Sequence, residues 1–164
     1  MANPDTSPQT RFFQRAIESA GPTFGIEIIA APVRSDADIV GAIGALSGPQ
    51  PGGLILPTDT YTRLRQGRIA ELARDARVPT VSAVADFIDE GGLMFYGATS
   101  ADQLASQYRG AASYVDRILK GAKPGELPVQ SPAKFELQIN RKTATTLGLE
   151  IPPKLLFTAD RVIE

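Results

Sequence analysis

The chain has 164 residues and carries no cysteine and no histidine. This length is enough for one domain with a sizeable core, and the missing residue types exclude thiol catalysis, imidazole acid–base chemistry and the commonest zinc sites. The 17 basic and 18 acidic residues give a net charge of −1 and are spread evenly, which excludes the basic patch of a nucleic-acid-binding protein. No apolar run approaches the roughly 20 residues of a membrane span, and residues 1–5 lack the pattern of a secretory signal. We therefore expect a soluble chain, cytoplasmic as given, with no metal and no cofactor.

The first predicted element is a helix preceded by a polar loop. Four residues of the loop are N-cap candidates, namely Asn3, Asp5, Thr6 and Ser7. An apolar stripe at helical spacing runs from Phe12 to Ala20, and Gly21-Pro22 is expected to end the helix. A helix amino terminus offers free N–H groups and the positive end of a dipole, so this one is a candidate carboxylate cradle. An ordinary capped helix is the alternative.

The next segments alternate between strand-like and helix-like patterns. Strands are predicted at 24–30, 53–57, 78–84 and 93–97, and helices at 36–46, 61–77 and 85–90. Strand and helix in turn, at intervals of roughly 25 residues, is the βαβ pattern of a doubly wound parallel sheet. The predicted fold class is therefore α/β, Rossmann-like or flavodoxin-like.

The strand at 53–57 carries small polar residues at its carboxyl end, which are Thr58, Asp59 and Thr60. In an open α/β sheet this end is where ligands bind. Asp59 can accept a hydrogen bond from an ammonium or a hydroxyl, and the threonines can donate or accept. The alternative is that Asp59 or Thr60 simply caps the helix that starts near Tyr61. The spacing alone leaves both interpretations open.

After residue 97 the pattern changes. A long helix is predicted at 101–120, ended by Gly121, and a proline-rich connector follows at 123–132. Strict alternation at 135–140 predicts a strand with one wet face. A short helix at 142–147 and a tail that ends at residue 164 complete the chain.

Four parts of the sequence, in this order and with these gaps, resemble the carboxyl-terminal half of ABC-transporter substrate-binding proteins. They are 53–60 (GLILPTDT), 91–97 (GGLMFYG), 114–124 (YVDRILKGAKP), and 134–140 (KFELQIN) followed by 147–153 (LGLEIPP). The resemblance covers most of the chain, from about Asn3 onward. It is greatest to the group that includes binders of tryptophan and other aromatic amino acids.

The resemblance implies an organisation for the chain. In that family two α/β lobes of the periplasmic-binding-protein type I fold close on a ligand, and the chain crosses the hinge three times. Residues 1–97 would form most of the second lobe, and 98–132 would be the hinge exit, long helix and connector that pack with the first lobe. Residues 133–164 would return to the second lobe. The family's first lobe and secretion signal are missing from this sequence, so we expect half of the cleft to be absent.

The resemblance also implies a ligand site. The segment 3–7 matches the part that cradles a ligand carboxylate, Asp59 matches the position that takes the ligand ammonium, and Tyr96 and Gly97 match the hinge strand at the cleft floor. The expected ligand-binding residues are Asn3, Thr6, Ser7, Thr58, Asp59, Thr60, Tyr96 and Gly97. The implied partners are a small amino-acid-like solute and an ABC permease, and the implied location of the intact family is the periplasm.

The expected function is therefore that of a partial solute-binding component of an ABC-type importer. The alternative is a free-standing flavodoxin-like signalling or ligand-sensing domain without catalysis. We do not expect an enzyme, because Asp59 has no partner visible in the sequence and nothing resembles G-x-S-x-G or a P-loop. Since helix 101–120 would expose its apolar stripe without a first lobe, we also expect a homodimer, formed by exchange of that helix across 122–132.

Overall fold

The structure, a computed structural model, describes residues 1–48, 52–98, 100–131 and 134–164. Its strands are β1 (Leu54–Leu56), β2 (Thr80–Ser82), β3 (Met94–Gly97), β4 (Glu136–Asn140) and β5 (Arg161–Ile163). Its α-helices are α1 (Thr10–Phe24), α2 (Asp36–Ala45), α3 (Thr60–Arg63), α4 (Gln66–Asp75), α5 (Asp86–Asp89), α6 (Ala101–Leu119), α7 (Arg141–Leu147) and α8 (Pro153–Thr158). A short 3-10 helix spans Pro124–Glu126.

The five strands form one mostly parallel sheet in the order β1-β2-β3-β4-β5. Only the β3–β4 pair is antiparallel. Gly97, the last residue of β3, pairs with Glu136, the first residue of β4. The chain therefore returns to the sheet beside the end of β3 that it left and runs back along that strand. The α/β prediction is confirmed, and the antiparallel strand is an addition to the parallel sheet that we expected.

Two short segments continue the sheet beyond β1. Ala2 forms a parallel bridge with Pro32, and Met1 N donates to the carbonyl of Ile55 at 2.8 Å. The spatial order is therefore 31–33, 1–3, β1, β2, β3. This is the 2-1-3-4-5 order of the flavodoxin-like doubly wound fold, and the strand order reverses between 1–3 and β1.

Local capping explains why several helices lie where the sequence predicts them. Ser35 and Asp38 form a complete capping box at the start of α2. Asn140 accepts a hydrogen bond from Thr143 N at 2.9 Å at the start of α7, and Gly148, with φ of 71°, ends that helix.

Most of the core lies on one face of the sheet. Leu54 and Leu56 of β1 pack there with Ile69 of α4 and Phe87 of α5. On the opposite face Ile55 and Tyr96 are exposed, whereas Ile139 of β4 is fully buried. The long helices contribute little to burial, since α1 buries only Thr10 and Gly21 and α6 buries no residue.

The predicted strand at 24–30 is wrong. Residues 26–31 form neither helix nor strand, and α1 runs through Gly21 and Pro22 as far as Phe24. A strand needs a neighbour to bond, and the segment beside this one, residues 1–3, pairs only at Ala2. The predicted end of α1 is also wrong, because Pro22 removes one bond in the last turn while Gly25, with φ of 66°, closes the helix.

Two further predictions need correction. The helix expected at 61–77 is two helices, α3 and α4, because Arg65 leaves helical geometry with φ −118° and ψ 12°. Its guanidinium stacks over the Tyr61 ring at 3.8 Å and pairs with Asp36 at 2.7 Å. The expected tail contains α8 and β5, and β5 pairs in parallel with β4.

Candidate functional site

The polar residues after β1 lie at the point where the strand order reverses. Asp59 follows β1 and caps α3, and the loop 3–7, which follows the short segment 1–3, lies against it. Such a switch point is where open α/β sheets bind ligands, because the loops of neighbouring strands diverge there. The fold therefore brings together two segments that lie more than fifty residues apart in the sequence.

Asp59 is 2% exposed, and its carboxylate already has partners. Oδ2 accepts from Thr62 N at 2.9 Å and from Asn3 N at 3.3 Å. Oδ1 accepts from the Thr6 hydroxyl at 3.3 Å. The bond from Thr62 N is the N-cap bond of α3, so the capping alternative for Asp59 is the arrangement in this structure. A carboxylate can accept about four hydrogen bonds. Of the three bonds named here, the one from the Thr6 hydroxyl is long for a hydroxyl donor.

The surroundings of Asp59 favour its charged form. Burial alone would raise its pKa, but hydrogen bonds from the Ser7 hydroxyl, the Thr62 amide and the Asn3 amide together outweigh burial. They hold the pKa of Asp59 below its ordinary value. The site therefore holds a buried negative charge at neutral pH.

The loop 3–7 is ordered by its own side chains. The Asn3 Oδ1 atom accepts from Asp5 N at 2.8 Å and Thr6 N at 3.2 Å, and Ser7 N donates to the Asn3 carbonyl at 3.2 Å. Gln9, and none of the four candidates, occupies the N-cap position of α1. The loop amides that a carboxylate would need are thus bonded within the protein, and the cradle predicted here stays a prediction.

The remaining expected site residues divide into two places. Thr58 and Thr60 are exposed beside Asp59, and Thr60 N donates to the Ser7 hydroxyl at 3.4 Å. Tyr96 and Gly97 lie on β3, which β2 separates from β1. The Tyr96 ring is 57% exposed and stacks on Phe135 with a centroid distance of 5.8 Å. The ligand role of all eight expected residues stays a prediction.

A small cavity lies beneath Asp59. Its volume is about 10 Å³, which is room for one water molecule. Its lining includes Asp59, Ser82 and Gln66, and the Gln66 Oε1 atom is buried without a hydrogen-bond partner in the described part of the chain. An amino acid cannot fit in this volume, so a ligand at this site would have to lie above Thr58 and Thr60.

A larger cleft of about 490 Å³ opens at the same edge of the sheet, between α5, the start of α6 and strands β4 and β5. Its charged lining residues are Asp86, Asp89, Asp102, Glu136, Asp160, Lys134 and Arg161. Lys134 pairs with Asp160 at 2.6 Å, and this ammonium lowers the pKa of Asp160. Sequence reasoning missed this cleft, because its residues come from four separate segments and only the fold joins them.

Two negative findings concern the described residues only. None of their helices combines the length and the apolar character that crossing a membrane requires. Their histidine, cysteine and carboxylate side chains form no group of three or more that could hold a metal ion.

The chain is an α/β unit that gathers polar residues at a topological switch point of its sheet. The family model described as ABC transporter substrate binding protein matches residues 6–163. The chain belongs to this family, which confirms the resemblance seen in the sequence. A search of curated proteins finds no match.

Solved structures with the same fold are about twice as long. A conserved domain protein from Vibrio cholerae is 25% identical with a TM-score of 0.79, and the alignment covers 98% of this chain and 52% of that one. An ABC domain in complex with L-Trp from Streptococcus pneumoniae is 20% identical with a TM-score of 0.77, covering 94% and 52%. A ligand-free, open substrate binding protein with adhesive properties from Clostridium difficile is 18% identical with a TM-score of 0.68, covering 94% and 50%. This chain thus spans about half the length of the structures it matches.

Proposed function

We propose that this chain is one lobe of the solute-binding component of an ABC importer and that its solute is a small amino acid. The observation that carries the proposal is the polar cluster of Asn3, Thr6, Ser7 and Asp59 at the switch point of the sheet. The family and the L-Trp complex of a solved neighbour support an amino-acid-like solute. The role is binding without catalysis.

The geometry suggests how the cluster receives the solute. The bond from the Thr6 hydroxyl to Asp59 is 3.3 Å long, and Thr6 is exposed. We infer that a ligand ammonium replaces this weak donor and gains a charge-assisted bond to Asp59 in return. The exposed hydroxyls of Thr58 and Thr60 complete the contact. The ligand carboxylate then lies toward the amino-terminal end of α1, where the helix dipole favours negative charge.

In the intact protein we propose the two-lobed type I arrangement, in the periplasm and in contact with an ABC permease. Residues 1–97 and 133–164 form the second lobe, and 98–132 form the hinge and the helix that packs on the first lobe. The complete lack of buried residues in α6 supports this assignment, because a 19-residue helix with an apolar stripe is normally covered. Tyr96 and Gly97, on β3, then form the floor of the cleft.

Isothermal titration of the chain with a panel of amino acids tests the proposal. We expect saturable binding of at least one member, weakened about tenfold or more by Asp59→Asn, which is ~1.4 kcal/mol. Thr145→Val is the matched control, since the Thr145 hydroxyl is bonded within α7 away from the site. No saturable heat with any member would overturn the proposal for this lobe alone. Equal binding by Asp59→Asn would overturn the role of Asp59.

We also propose that the isolated chain forms a homodimer through α6. Its accessible surface is 10520 Å², whereas a compact monomer of 17.4 kDa exposes about 7,900 Å². The excess of roughly 2,600 Å² per chain, or about 5,200 Å² over two copies, lies at the upper end of what obligate dimer interfaces bury in total. On α6, Tyr108, Val115 and Leu119 are exposed, and Leu119 is 82% exposed. Exchange of this helix between two copies across 122–132 would cover both stripes.

Sedimentation at tens of micromolar tests the dimer. We expect a dimer that Val115→Asp dissociates, because a charge in the buried stripe is costly to desolvate. Val129→Asp is the matched control, since Val129 is an exposed valine of the connector outside α6. A monodisperse wild-type monomer would contradict the dimer, and equal dissociation by both variants would contradict the role of α6.

A further inference from the structure

Two polar side chains with unused hydrogen-bonding capacity line the small cavity beneath Asp59. The first is Gln66, the first residue of α4, whose buried Oε1 atom accepts no hydrogen bond in the described part of the chain. The second is Ser82, the last residue of β2, which is 3% exposed. Its Oγ atom accepts from Val84 N at 3.0 Å, while its O–H donates to no group that the structure describes. One unused acceptor and one unused donor therefore line the same cavity.

These two groups lie on different elements and do not bond each other. A buried polar group that leaves water without gaining a new partner destabilises the fold. The cavity that Gln66 and Ser82 share has a volume of about 10 Å³, which is room for one water molecule. A molecule of that size that accepts from Ser82 and donates to Gln66 would complete both groups.

We propose that the cavity binds one water molecule, which accepts the Ser82 O–H and donates to Gln66 Oε1. Water fits both groups because it donates and accepts at once. The Asp59 carboxylate also lines the cavity and gives the water a third polar partner. A metal cation would use acceptors alone and leave the Ser82 hydrogen without an acceptor. The water therefore bridges the start of α4 and the carboxyl end of β2.

The bridge makes Gln66 a positioning residue for Asp59, and this part of the inference rests on the proposed function. Asp59 and Thr62, which form the cap bond of α3, both line the cavity. Gln66 begins the helix that follows α3. A bridge from Gln66 to β2 therefore holds α3 and its cap against the sheet. Gln66 acts on the solute through the water and Asp59, without touching the solute itself.

A crystal structure of the chain, at a resolution that shows ordered waters, tests the bridge directly. We expect one water within hydrogen-bond distance, about 3.2 Å or less, of both Ser82 Oγ and Gln66 Oε1. A dry cavity would overturn the proposal. So would a Gln66 side chain that turns to solvent or bonds Ser82 directly.

A double-mutant cycle tests the same bridge in solution. Gln66→Met keeps the length of the side chain but removes the acceptor, and Ser82→Ala removes the donor. Because both groups share one water, Gln66→Met should raise the unfolding equilibrium constant about fivefold or more further in wild type than in Ser82→Ala. Val84→Ala is the matched control background, since Val84 lines the cavity without a polar side-chain group. Additive effects of Gln66→Met and Ser82→Ala, or equal coupling in both backgrounds, would overturn the bridge.

Solute affinity separates the positioning role from the proposed function. For an amino acid that the wild type binds, Gln66→Met should weaken binding several-fold and accelerate amide exchange at Thr62. Gln14→Met is the matched control, because Gln14 is exposed on α1 away from the cavity. Unchanged affinity and exchange in Gln66→Met would overturn the positioning role. If the wild type binds no amino acid, the proposed function fails, while the crystal water and the cycle still decide the bridge.

Discussion

Replacement of Asp59 by alanine should destabilise the chain far more than loss of an ordinary helix cap. The cap bond to Thr62 N contributes about 1 kcal/mol. The variant also leaves the buried Asn3 amide without an acceptor, at a cost of about 1–2 kcal/mol, and releases the Thr6 hydroxyl. We therefore expect a loss of about 2–4 kcal/mol in the free energy of unfolding.

Urea unfolding of wild type, Asp59→Ala and Asn140→Ala measures this difference. Asn140 is a matched control because it also caps a helix from a buried position; its Oδ1 accepts from Thr143 N at 2.9 Å, and its Nδ2 donates weakly to Ile88 O at 3.4 Å. We expect Asn140→Ala to cost about 1 kcal/mol and to leave amide exchange in 3–7 unchanged, while Asp59→Ala accelerates it. Equal losses for the two variants, or unchanged exchange at 3–7 in Asp59→Ala, would refute the reasoning.

The remaining predictions concern pH and packing. Because the pKa of Asp59 is lower in the folded chain than the unfolded value of about 3.9, its contribution is complete above that pH and is lost as the pH falls through the folded pKa. The stability difference between wild type and Asp59→Asn should shrink below about pH 4, and a constant difference contradicts this. Gly92→Ala should cost about 3 kcal/mol or more, since its Cβ would lie 2.1 Å from the Phe87 ring. Thermal unfolding measures this loss. Gly125→Ala is the control, and it should leave stability nearly unchanged because a Cβ at Gly125 would lie in open space.

Elements whose determinants lie within a few residues were predictable from the sequence. Helices predicted at 36–46 and 142–147 are observed as α2 and α7, and the structure shows the capping box of Ser35 and Asp38 and the left-handed Gly148 at their ends. The strand at 24–30 failed for the opposite reason. Its isoleucines have high strand propensity, but a ladder depends on a neighbour, and only Ala2 pairs with this region of the chain.

The candidate site shows the same limit. The cap bond from Thr62 N to Asp59 is local, but whether the carboxylate also faces a ligand depends on the loop 3–7, more than fifty residues away, so the sequence alone left both interpretations open. The three residues of β5 carry too little pattern to be recognised, and their pairing with β4 defines them. The 490 Å³ cleft was missed because it exists only where four segments meet.

The central claim is that an amino acid binds at the switch point beside Asp59. An amide-resolved NMR titration of the chain with the amino-acid panel tests it most directly, because it reports the position as well as the fact of binding. The account predicts saturable shifts at residues 3–7 and 58–60 for at least one amino acid. Shifts confined to the cleft residues 86–89, 134–136 and 160–161, with 3–7 and 58–60 unmoved, would contradict it.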